Sequence, residues 1–87
     1  MPEITLTVNH AVGLHARPAS MFVQTASKFK SDITVTHGDT VANAKSILTV
    51  LTLGVHKGNQ ITISAEGEDA QEALDALKEL VDNNFGE

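Results

Sequence analysis

Ile4, Leu6 and Val8 alternate with Thr5 and Thr7 at the start of the chain, a period of two that predicts a strand with one buried face. Asn9 to Gly13 reads as a loop. From Ala16 the period changes: Ala19, Phe22, Val23 and Ala26 recur at helical spacing, with Phe29 extending the apolar face. Pro18 fits the first turn of that helix, where a missing N–H breaks no intrahelical bond, so the helix is expected to begin at Ala16 with His15 as its N-cap. Ile33 and Val35 alternate with Thr34 and Thr36, and His37-Gly38-Asp39-Thr40 has turn chemistry, which predicts a hairpin into a short strand around Val41. Ser46 precedes the apolar run Ile47 to Leu53, closed by Gly54, and the expected element is a capped helix of about two turns. Ile61, Ile63 and Ala65 predict a fourth strand. Asp69 and Glu72 stand at cap and N3 spacing before a last helix whose inward face is Ala73, Leu74, Leu77 and Val81.

The resulting order is βαββαβα. One helical crossover leaves strands 1 and 2 parallel, the hairpin reverses strand 3, and the second crossover makes strand 4 parallel to strand 3. Strand 4 is therefore antiparallel to both 1 and 2, and inserting it between them gives a fully antiparallel sheet. The expected fold class is α+β, an open-faced β-sandwich with a four-stranded sheet in the order 1-4-2-3 and three helices on one face. With 87 residues and 41% hydrophobic composition, residues 1–87 are expected to form one domain. No apolar run approaches the roughly 20 residues needed to cross a bilayer, so neither membrane insertion nor export is expected. The absence of cysteine agrees with a reducing compartment, and the expected location is cytoplasmic.

The net charge of −5 is unevenly placed. Residues 1–60 carry Arg17 and four lysines against Glu3, Asp32 and Asp39, whereas residues 61–87 carry eight acids against Lys78. The first part can attract an acidic partner; the second disfavours a polyanion, so no nucleic acid is expected as a partner. The three phenylalanines fall on predicted helices or the tail and cannot form a base-stacking sheet.

Residues 13–20 read GLHARPAS and contain the only arginine, Arg17. Histidine is a poor N-cap compared with Ser, Thr, Asp or Asn, which points to chemistry at that position. A helix N-terminus offers unpaired backbone N–H groups, here those of Ala16 and Arg17, and the positive end of the dipole. Arg17 adds a guanidinium whose fork matches phosphate. A phosphate carried on the ring of His15 would use all three, and the positive surroundings favour a neutral, nucleophilic imidazole. The same residues also fit an ordinary surface helix start.

GLHARPAS, followed by NAKSILTVLTLG and ITISAEGEDAQEAL, resembles the histidine-containing phosphocarrier family, HPr, of the bacterial phosphotransferase system, over nearly the whole chain. That resemblance implies that Enzyme I phosphorylates Nδ1 of His15 and that enzyme IIA domains take the group onward. It implies that Arg17 stabilises charge on the moving phosphoryl group, and that the chain is a relay without a cofactor, not a free-standing enzyme. It further implies that Ser20, Gln24, Ile47, Leu48 and Leu51 form a partner-docking patch; Ile47 and Leu48 packing in the core is the alternative. Ser46 can simply cap its helix. In HPr of low-GC Gram-positive type the matching serine is phosphorylated by an HPr kinase/phosphorylase, which implies regulation here and a transcriptional regulator as a further partner.

The chain departs from enteric relatives, which carry lysines at the positions of Gln24, Ser27 and Thr49 and a polar residue at Val12, so weaker electrostatic steering is expected. His10, His37 and His56 are expected at the surface or in turns, and no ligand spacing assigns a metal. The protein is expected to act as a monomer. Two regulatory alternatives stay open: a module of a nitrogen-related phosphotransferase chain, and a corepressor acting when Ser46 is phosphorylated.

Overall fold

In the computed structural model, residues 2–8 and 16–83 are the described part of the chain. Seven elements follow one another: β1 (Glu3–Thr7), α1 (Ala16–Ala26), β2 (Asp32–His37), β3 (Thr40–Asn43), α2 (Ile47–Leu51), β4 (Gln60–Glu66) and α3 (Ala70–Asp82). The strands form one sheet in the order β1-β4-β2-β3, with every pairing antiparallel, as the chain-direction argument requires. Register follows the alternation of side chains. Leu6 lies opposite Ile61, Ile4 opposite Ile63, and Ile63 in turn opposite Val35, so the apolar residues of three strands fall on one face.

The three helices cover that face. Phe22 of α1, Val50 of α2 and Leu74 and Leu77 of α3 are buried with Ile33, Val35, Ile61 and Ile63 in one cluster. The opposite face stays uncovered and is carpeted with hydroxyls; Thr5 and Thr62, directly opposed, share a hydrogen bond of 3.1 Å. The structure is the open-faced sandwich that the residue pattern predicts.

Three local expectations are corrected. First, α1 ends at Ala26, so Phe29 is not part of it. The chain tightens into i→i+3 bonds, from Lys28 N–H to the Thr25 carbonyl and from Phe29 N–H to that of Ala26, both 3.2 Å. Phe29 still packs against the core.

Second, α2 has five residues, and although Ser46 occupies its cap position in extended conformation (φ −116°, ψ 114°), its side chain makes no capping bond. Threonine hydroxyls fasten the element: Thr49 Oγ1 donates to the carbonyls of Asn43 and Ser46, both at 3.0 Å, and Thr52 Oγ1 donates to that of Thr49 at 2.6 Å. Gly54, at φ 63°, then turns the chain out of the helix in a left-handed conformation that a side chain would disfavour.

Third, Asp69 stands at the N-cap of α3 without capping it. Its carboxylate accepts the backbone N–H of Lys30 at 2.8 Å, that of Ser31 at 2.9 Å, and the Ser31 hydroxyl. Those charge-assisted bonds outweigh a cap, and its backbone (φ −104°, ψ 23°) is not the extended conformation that capping uses.

Candidate functional site

Arg17 is the second residue of α1 and is exposed, while Pro18 and Ala19 behind it are buried. That division has a local cause. Pro18 needs no amide partner in a first turn, so it can be buried there at no hydrogen-bonding cost, and burying it with Ala19 and Phe22 leaves Arg17 on the solvent side. Arg17 and the first-turn amides of Ala16 and Arg17 thus share one helix terminus, the arrangement that favours an anion. His15 and Val12 lie outside the described residues, as does the Asn9 to Gly13 loop.

The expected docking residues sit on two elements in mutual contact, α1 and α2. On α1, Ser20 is half-buried and Gln24 exposed, and the Gln24 amide donates to the Ser20 hydroxyl at 3.3 Å. On α2, Val50 is buried whereas Ile47, Leu48 and Leu51 are 37%, 74% and 38% exposed. Core packing of Leu48 is thereby excluded. A five-residue helix cannot bury residues all round, and with Val50 turned inward its neighbours meet solvent.

Ser46 is half-buried at the start of α2. Just before it, the Lys45 ammonium donates to the Phe29 carbonyl at 2.7 Å and ties the approach to α2 to the turn after α1. His37 is half-buried at the end of β2, with Nδ1 2.8 Å from the Leu53 carbonyl, which ties the hairpin to the exit of α2. His56 is exposed on the loop between α2 and β4, and His10 lies outside the described residues. Among the described residues no cluster of three or more His, Asp or Glu could hold a metal ion.

Among the described residues, the clearest electrostatic perturbation lies elsewhere, at Asp69. The Ser31 hydroxyl, then the Lys30 amide, hold its carboxyl below the usual aspartate range. Periodicity gave no sign of this contact, because it joins two turns far apart in the chain. A groove of about 360 Å³ runs along Asp75, Lys78, Glu79, Asp82 and Asn83 of α3, and none of the candidate site residues lines it.

The family model described as "PTS HPr component phosphorylation site" matches residues 2–83. The chain belongs to the HPr family. It is 42% identical over 81 residues to the phosphocarrier protein HPr of Mycoplasma capricolum, covering 93% of this chain and 91% of that protein. The crystal structure of HPr from Thermoanaerobacter tengcongensis superposes with a TM-score of 0.97 at 50% identity, over 100% of this chain and 98% of the other. The catabolite repression protein Crh of Bacillus subtilis, a dimer with a swapping domain, gives a TM-score of 0.77 at 40% identity, over 97% of each chain. This is therefore an HPr-type phosphocarrier protein of the phosphotransferase system, with the fold of that family. No helix among the described residues is long and apolar enough to cross a membrane.

Proposed function

We propose that His15 of this HPr accepts a phosphoryl group from phosphorylated Enzyme I and passes it to enzyme IIA domains in coupled sugar uptake. The match of residues 2–83 to the phosphorylation-site model carries this reading, and the exposed Arg17 at the start of α1 agrees with it. In the first step the lone pair of Nδ1 attacks phosphorus, the bond to the donor breaks with its electron pair leaving on the donor, and a P–N bond forms. The second step reverses the roles. Arg17 and the first-turn amides balance the charge on the transferring group, which is largely unattached to either side at the transition state. The two steps return the chain to its starting state, so it acts as a relay.

Ser20, Gln24, Ile47, Leu48 and Leu51 form the surface that meets each partner in turn. Exposed apolar side chains ringed by polar ones suit transient docking. Incubation with phosphoenolpyruvate and Enzyme I, followed by mapping of the modified residue, tests the reading. Acid-labile label on His15, absent from His15→Ala, supports it; label that persists in His15→Ala sinks it.

A second reading, regulation through Ser46, is favoured by a hydroxyl that makes no capping bond and by likeness to a catabolite repression protein. An ATP-dependent HPr kinase/phosphorylase would add the phosphate, and its two charges beside Ile47 and Leu48 would weaken docking of an acidic, apolar surface and create a site for a transcriptional regulator. Acid-stable label on Ser46 from ATP and kinase is the expected result. The monomer is the expected working form; sedimentation across a concentration series distinguishes it from a dimer of the Crh kind.

A further inference from the structure

We propose that His37 is a positioning residue for partner docking, fixing the pose of α2 through the carbonyl of Leu53; the proposal rests on the docking role of Ile47, Leu48 and Leu51. His37 is the last residue of β2 and pairs with Thr40 across the tight turn Gly38-Asp39, in which Gly38 takes φ 62°. So short a turn fixes the backbone that carries the ring. Nδ1 lies 2.8 Å from the Leu53 carbonyl, and a carbonyl oxygen only accepts, so Nδ1 carries the proton and donates. The contact joins residues 16 apart in the chain.

Leu53 lies at the exit of α2. The helix stops at Leu51 with Thr52 as its C-cap, and Gly54, at φ 63°, turns the chain away. Carbonyls at such a terminus have no following helical turn to donate to them, so a side chain that reaches one satisfies it and fixes its peptide plane. Burial alone holds α2 weakly. Of its five residues only Val50 is buried, and a helix this short has no stability of its own. Val50 and, after the helix, buried Leu53 set its depth; its tilt is left to hydrogen bonds. At the entrance these are several: the Ala44 N–H donates to the Ile33 carbonyl at 2.9 Å, the Lys45 ammonium to that of Phe29, and Thr49 Oγ1 to that of Asn43. At the exit the bond to the sheet comes from His37.

Removing that donor leaves the entrance fastened and frees the far end of α2, where exposed Leu51 and, one turn earlier, Leu48 stand. A partner shaped to one pose of these side chains then meets a mixture of poses. Apparent affinity falls by the fraction of molecules still in the docking pose, so KM rises while the rate of the bound complex is kept. The bond joins β2 to the exit of α2 and involves no residue of α1, which carries Arg17.

The test compares His37→Phe and His37→Asn in the full chain, each alone and combined with Leu48→Ser, measuring kcat and KM for phosphorylation by Enzyme I together with Tm. Phe keeps a ring and removes the donor; Asn gives up the ring and places an amide N–H at the position of Nδ1. The loss of one hydrogen bond of ordinary strength predicts that His37→Phe raises KM about fivefold with kcat within about twofold of wild type, and that His37→Asn stays within about twofold in both. In the Leu48→Ser background, where the surface that α2 presents is already cut back, His37→Phe is expected to add less than about twofold. A wild-type KM for His37→Phe overturns the proposal. An Asn variant as impaired as Phe does so too, since the ring and not the bond would then matter, as does an equal rise in Val81→Ala, a core variant on α3 compared at matched Tm. An unchanged KM for Leu48→Ser places docking elsewhere and removes the proposal with it. A raised KM for Leu48→Ser beside a normal one for His37→Phe removes the proposal and leaves the docking surface standing.

Discussion

The Asp69 carboxylate holds Ser31 twice, through the backbone N–H at 2.9 Å and through the hydroxyl. It accepts the Lys30 N–H as well, so one side chain at the start of α3 organises the turn between α1 and β2. Ser31 is 1% exposed, and its polar groups need a partner inside the fold.

Acid should release this contact. The folded carboxyl titrates below the ordinary aspartate value of about 3.9, so its stabilisation is fully present above that value and is lost as the pH falls through the depressed one. Asn at position 69 lacks the charge at every pH. Urea midpoints of Asp69→Asn are therefore expected below wild type at pH 7, with the gap closing as the pH falls below the ordinary aspartate range. A gap that is constant with pH would assign the effect to packing instead.

Gly67 backs onto the same serine. At φ 147° it occupies a region that other residues rarely adopt, and a Cβ there would stand 2.5 Å from the Ser31 Oγ and 2.8 Å from its Cα. Gly67→Ala is expected to destabilise by about 1–3 kcal/mol. Thermal denaturation reads this as a Tm drop of roughly 4–8 °C per kcal/mol.

Arg17 is exposed, so its removal should leave the fold nearly intact, within about 0.5 kcal/mol. If it stabilises charge on the transferring group, Arg17→Ala should slow phosphorylation by about 10²-fold. Parallel losses of Tm and activity would contradict that role. Measurement of both on the same preparation settles the matter.

Leu48, 74% exposed, supports no core contact that would explain its size. Leu48→Ser is expected to raise KM for Enzyme I about tenfold, with Tm and the limiting rate little changed. Gln24, Ser27 and Thr49 are uncharged, so KM should rise only weakly between low and physiological salt. A steep salt dependence would place the docking surface elsewhere.

How much of this was written in the one-dimensional pattern differs from element to element. The alternation of Ile61, Ile63 and Ala65 and the helical spacing of Ala73, Leu74, Leu77 and Val81 report burial directly, because a side chain's face follows from its position along a strand or helix. Chain direction then left one antiparallel sheet order, and GLHARPAS carried its own family resemblance. The sequence also implied exposed apolar residues on α2, since its short run holds more of them than one buried face can take.

Tertiary structure alone decided the polar contacts between distant turns. Asp69 obeys cap spacing and does something else, because the amides of Lys30 and Ser31, 39 and 38 residues away, offer its carboxylate better donors. Ser46 occupies a cap position without capping, and His37 takes a role set by the Leu53 carbonyl. Hydrophobic burial repeats with the period of the backbone and is legible from it. A hydrogen bond depends on where two particular atoms meet, and that meeting exists only once the chain has folded.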